Sequence, residues 1–191
     1  MYKAEEKTVY ERSFGNRYFV VAVSLLIIVV ALNWLAERLN QELVNAERVQ
    51  FIHRLKELNA AVTLMQASLV AQDRPQAMAE FVGANPMNWI QDDVTHYVGE
   101  QTLEESQHLA GVWVFDPKLR DIAYQPRDVS VESLRAQLQG EFSRIVSDEP
   151  EWQRQRYSQW LRFRVVGLLS KDKVQANKHS EYEGLVLQLM P

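Results

Sequence analysis

The chain has 191 residues, a formal net charge of −4 and no cysteine. The absence of cysteine excludes disulfides, thiolate nucleophiles and cysteine-based zinc sites. Lysine and arginine are dispersed among the acidic residues and form no basic stripe, so we expect no nucleic-acid binding.

An apolar segment over residues 18–35 is the strongest signal near the N-terminus, and it contains no charged residue. As a helix it would be about 27 Å long, close to the hydrocarbon thickness of a bilayer. Tyr18 and Trp34 stand near its ends, where aromatic side chains favour the membrane interface. A signal peptide would have a shorter apolar region and a small-x-small cleavage site, whereas the sequence after Leu35 continues as a good helix former. We therefore predict one retained transmembrane helix in contact with membrane lipid.

The basic residues around this segment predict its orientation. Those before it are Lys3, Lys7, Arg12 and Arg17, and those in the comparable stretch after it are Arg38 and Arg48. Because basic residues are retained on the cytoplasmic side, residues 1–17 are predicted to form a cytoplasmic tail. The protein would then be a single-pass protein of a bacterial inner membrane, with its C-terminal part in the periplasm.

A helical stalk is predicted over residues 36–72. Its apolar residues recur at steps of three and four, the spacing of a coiled-coil seam or of a helix that packs on another helix. The candidate partner seam consists of Phe51, Leu55, Leu58, Val62, Met65 and Leu69. Upstream, a similar spacing is kept by Leu32, Leu35, Leu39, Leu43 and Ala46. The sequence leaves open whether the seam contacts a second copy, which would give a homodimer, another protein, or the chain's own head.

Residues 73–191 are predicted to form a single α+β head. The strand-rich segments are residues 112–115, 122–124, 161–170 and 184–190. The first two flank the turn residues Asp116 and Pro117 and predict a hairpin, and the last two predict a second strand pair. Ser130 has the features of a helix cap, with Val129 and Leu134 as a hydrophobic staple. We expect a roughly four-stranded antiparallel sheet covered by helices.

Before the first hairpin, apolar residues recur at helical spacing and predict a stripe that faces the core. They are Trp89, Ile90, Val94, Tyr97 and Val98. This segment is therefore expected to be helical.

No residue pattern in the chain predicts a reaction. The four histidines are scattered without metal-ligand spacing, and the seven glycines form no phosphate-binding loop or nucleophile elbow. We expect no enzymatic activity, catalytic residue, metal, cofactor or small-molecule substrate.

A mixture of aromatic and arginine residues near the second strand pair is the candidate head interface. It consists of Trp152, Arg156, Tyr157 and Trp160. Aromatic and arginine side chains are frequent anchors of protein interfaces. The same composition is also typical of the rim of a sheet, and the sequence alone does not separate the two.

The overall plan resembles that of type IV pilins and pilin-like proteins, in which an N-terminal membrane helix continues as a long amphipathic helix and an antiparallel sheet follows. The hairpin sequence at 111–126, Gly-Val-Trp-Val-Phe-Asp-Pro-Lys-Leu-Arg-Asp-Ile-Ala-Tyr-Gln-Pro, resembles a hairpin of accessory proteins in the mannose-sensitive haemagglutinin (MSHA) pilus system. The resemblance implies a non-catalytic role in type IV pilus biogenesis through contacts with other pilus-assembly or secretion proteins.

The sequence departs from prepilins at the processing site. A prepilin is cut after a glycine that precedes an aromatic residue or methionine, and its fifth mature residue is glutamate. Here Gly15 precedes Asn16, and the fifth residue after Gly15 is Val20. The resemblance therefore does not extend to prepilin cleavage or N-methylation.

Two other classes of protein share the same general plan. One is a ferredoxin-like scaffold subunit of a pilus or type II secretion inner-membrane platform. Strand order separates these two classes. A ferredoxin-like head has helices interleaved between its strands, whereas a pilin-like protein packs one long helix on a meander. The other is a periplasmic sensor domain, although such receptors normally carry a second span and an output module.

Overall fold

The computed structural model describes residues 3–90, 95–138, 150–169 and 182–190. The chain divides into two compact units, Met1–Asn45 and Ala46–Pro191. Helix α1 covers Lys3–Ala71, so its N-terminal part belongs to the first unit and its C-terminal part to the second.

In the first unit, the apolar segment of α1 is exposed along its described length. Its most apolar window has a mean hydropathy of 2.7, and none of that window is buried. The polar residue Asn33 donates its side-chain amide to the carbonyl of Val29 at 2.8 Å, which keeps one polar contact within the helix. This helix is long and apolar enough to cross a membrane.

The C-terminal end of α1 is determined by a Schellman motif. Asp73 adopts a left-handed conformation with φ of 58°. The backbone amide of Arg74 donates to the carbonyl of Leu69 at 2.9 Å, and that of Asp73 donates to the carbonyl of Val70 at 3.0 Å. These bonds satisfy carbonyls that the helix leaves without partners. The helix thus ends at Ala71, one residue before the end of the predicted stalk.

Among its described residues, the second unit continues with two 3₁₀ helices, five strands and two short α-helices. The 3₁₀ helices cover Pro75–Phe81 and Pro86–Trp89. The strands are β1 (Tyr97–Glu100), β2 (Val112–Asp116), β3 (Asp121–Gln125), β4 (Leu161–Leu169) and β5 (Tyr182–Leu189). Helices α2 (Val131–Leu138) and α3 (Glu151–Arg156) lie between β3 and β4 in the chain.

The strands form one mixed sheet in the order β1-β2-β3-β4-β5. Strands β2 to β5 make an antiparallel meander, and β1 pairs with β2 in parallel. The predicted hairpin, the predicted second strand pair and the α+β class are confirmed. The sheet itself differs from the prediction, because its described part has five strands and is not purely antiparallel.

Strand β1 is where the predicted helical stripe is wrong. Tyr97 pairs with Trp113 of β2, and His96 and Gly99 have φ values of 65° and 110°, which a right-handed helix does not allow. The side chain of Tyr97 is half-buried and that of Val98 is exposed, as in a strand with period two. Val94, another member of the stripe, lies outside the described residues.

The main core lies between the C-terminal part of α1 and one face of the sheet. Phe51 stacks on Trp113 with ring centroids 5.5 Å apart and planes within 5°. Its ring also contacts Tyr124 at 5.0 Å and Phe163 at 6.3 Å. Such aromatic contacts add to the hydrophobic free energy of burial. One aromatic residue of α1 therefore joins three neighbouring strands.

The opposite face of the sheet has a smaller apolar cluster. It consists of Leu103, Val114, Ala123, Tyr157 and Trp160. The segment after β1 and the segment that ends α3 supply the residues that cover the sheet here. The meander is therefore covered on both faces near β2 and β3.

Helix α2 begins as its capping signal predicts. The hydroxyl oxygen of Ser130 accepts a hydrogen bond from the amide of Ser133 at 3.1 Å. Val129 and Leu134 are both buried, as a hydrophobic staple requires. The predicted cap is confirmed, and residues 139–149 after α2 lie outside the described residues.

Candidate functional site

The candidate partner seam of α1 lies inside the second unit. Five of its residues are buried and Met65 is partly buried; the buried five are Phe51, Leu55, Leu58, Val62 and Leu69. Among the three partners that the sequence leaves open, the structure favours the chain's own head. Another protein would reach this seam only if the helix separated from the sheet.

The candidate head interface does not form one surface. Trp160 and Tyr157 are buried in the smaller cluster, whereas Trp152 is 62% exposed. The half-exposed Arg156 forms an ion pair with Glu104 at 2.9 Å. The Tyr157 hydroxyl donates to the same carboxylate at 3.3 Å. Of the four residues, Trp152 and Arg156 are accessible to a partner.

A carboxylate of α1 binds the segment that follows β3, in an arrangement we call the Glu47 clasp: Glu47, Tyr124, Arg127, Asp128 and Val129. One Glu47 oxygen accepts from the Tyr124 hydroxyl and the Arg127 amide, both at 2.7 Å. The other oxygen accepts from the amides of Asp128 at 2.7 Å and Val129 at 3.0 Å. Consecutive backbone amides of this kind form a concavity that suits an anion.

The hydrogen bonds of the Glu47 clasp determine the charge of its members. Burial by itself raises the pKa of Glu47, but the bonds from the three amides and from Tyr124 outweigh burial and leave the pKa below its ordinary value. Burial and the adjacent Glu47 carboxylate raise the pKa of Tyr124. At neutral pH the carboxylate is therefore ionised and the phenol protonated. Both groups are fixed in these states, which suits attachment and not proton transfer.

A small half-open cavity of about 160 Å³ lies beside the clasp. Phe51, Trp113 and Tyr124 contribute apolar side chains, and the remaining lining residues are Gln50, His53, Arg54, Thr95, His96 and Gly111. Its volume is below the roughly 300–1,000 Å³ typical of ligand pockets.

The charge of the cavity lining is already balanced. Arg54 forms an ion pair with Glu57 at 2.6 Å and donates to the Thr95 hydroxyl at 3.4 Å. His53 lies 3.1 Å from the same Glu57 carboxylate. Because Glu57 already neutralises Arg54 and the cavity is small, we expect neither a bound anion nor a substrate here.

Two buried aspartates organise the other face of the sheet. The Asp116 carboxylate accepts from the amides of Leu103 at 2.9 Å, Lys118 at 2.8 Å and Leu119 at 3.1 Å, so it shapes the hairpin turn. The fully buried Asp121 accepts from two arginines that protrude from β4. These are Arg162 at 3.3 Å and Arg164 at 2.6 Å. The hydrogen-bonding capacity of both buried carboxylates is therefore used within the second unit.

Sequence reasoning missed the Glu47 clasp and the role of Asp121. A signal for the arginines was present, because Arg162 and Arg164 alternate with Leu161, Phe163 and Val165 at the period of a strand. No local signal marked Glu47, whose partners are about 80 positions away.

Within the described part of the chain, no group of three or more His, Cys, Asp or Glu residues is arranged to hold a metal ion. The chain matches no family model, no curated protein and no solved structure in the comparisons made.

Proposed function

We propose that the chain is a non-catalytic, membrane-anchored component of MSHA-like type IV pilus biogenesis, related to the MshF type of MSHA biogenesis proteins. The protein would cross a bacterial inner membrane once, with its N-terminus in the cytoplasm and its second unit in the periplasm. It would act through contacts with other pilus-assembly proteins.

The architecture of α1 is the observation that carries this proposal. The N-terminal part of the helix presents an exposed apolar segment of membrane-spanning length. In the second unit, the same helix packs through Phe51 on an antiparallel meander. A membrane helix that continues into the core helix of a strand-rich unit is the plan that the resemblance to pilin-like proteins implies.

Strand order argues against the ferredoxin-like alternative. A split βαβ unit places another strand between its two parallel strands. In the described sheet the parallel strands β1 and β2 are direct neighbours, and the strands follow each other in chain order. No specific observation favours the sensor alternative.

The exposed surface of α3 is the part of the second unit best suited to a partner. Trp152 exposes 62% of its surface, and Arg156 lies in the same short helix. Tryptophan and arginine are the residues most enriched among the energetic centres of protein interfaces. A partner that covers Trp152 would bury a large apolar side chain without disturbing the core.

Deletion of the gene in a Gram-negative host that carries it tests the proposal. The deletion strain should lose surface MSHA-like pili, and the full-length gene should restore them. A photo-crosslinking residue at Trp152 should capture pilus-assembly proteins identified by mass spectrometry, whereas the same residue at the exposed Leu64 of α1 serves as the matched control. Normal piliation of the deletion strain would refute the proposed role.

A further inference from the structure

We draw no further inference here: the strongest candidate, the exposed apolar face of α1 formed by Leu32, Leu35, Leu39 and Leu43, carries no proposal because nothing in the structure shows what covers it.

Discussion

The Glu47 clasp offers a direct test of how α1 is attached to the segment after β3. Glu47→Gln preserves the shape of the side chain but replaces one acceptor oxygen by an NH₂ group. Each Glu47 oxygen accepts two hydrogen bonds, so the variant loses two of them. The new NH₂ group is itself a donor and would face the two groups that donated to the oxygen it replaces. Hydrogen bonds to charged groups contribute about 1.5–3 kcal/mol each when buried. Because the clasp is partly exposed, we expect the free energy of unfolding to fall by about 2 kcal/mol in total.

Thermal unfolding of the full-length chain in detergent, followed by near-ultraviolet circular dichroism, measures this change. For a chain of this size, 2 kcal/mol corresponds to a decrease in Tm of roughly 4–8 °C. Glu42→Gln is the control, because it makes the same chemical change at an exposed position of the same helix. Equal melting temperatures for Glu47→Gln, Glu42→Gln and the native chain would refute the attachment role of the clasp.

The same comparison predicts a pH dependence with a defined sign. The pKa of Glu47 is lower in the folded chain than in the unfolded chain, where it is about 4.3. The contribution of Glu47 to the free energy of unfolding is therefore complete above its pKa in the unfolded chain, and it is lost as the pH falls through its pKa in the folded chain. The difference in Tm between the native chain and Glu47→Gln should be largest near neutral pH and should decrease below about pH 4. A difference that grows on acidification would contradict this reasoning.

Further substitutions test the two faces of the sheet and the exposed surface of α3. Phe51→Ala should lower the free energy of unfolding by about 3–5 kcal/mol. Its control, Leu64→Ala at an exposed position of the same helix, should change this free energy by less than about 0.5 kcal/mol. Equal effects of the two substitutions would contradict the location of the core. Asp121→Asn removes the carboxylate that two arginines face and should cost about 3 kcal/mol in urea unfolding, with the exposed Asp128→Asn as a near-neutral control. Trp152→Ala should leave unfolding within about 0.5 kcal/mol of the native value while it decreases co-purification of pilus-assembly proteins, and unchanged co-purification would remove Trp152 from the interface.

The elements that the sequence predicts correctly have strong local signals. The end of α1 lies within one residue of the predicted end of the stalk, beside Asp73, which adopts the left-handed conformation of a Schellman motif. The β2–β3 hairpin follows from β-rich segments around Asp116 and Pro117. The cap of α2 follows from Ser130. In each case the determining residues are within a few positions of the structure they produce.

Features that depend on distant residues could not be predicted in the same way. Strand β1 has four residues and pairs in parallel with β2, so its partner is not a hairpin neighbour that short-range patterns reveal. The seam of α1 indicates a buried face but does not state what buries it. The Glu47 clasp joins residues far apart in the chain, and a single glutamate on a helix is ordinarily a solvated side chain. Long-range contacts therefore account for most of the differences between prediction and structure.

Alkaline carbonate extraction of native membranes tests membrane anchorage most directly, because carbonate removes peripheral proteins and leaves spanning helices in the bilayer. We expect the chain to remain in the membrane pellet at its full mass of 22.2 kDa. Recovery of the full-length chain in the carbonate supernatant would contradict the account, since the exposed apolar segment of α1 would then not span the membrane.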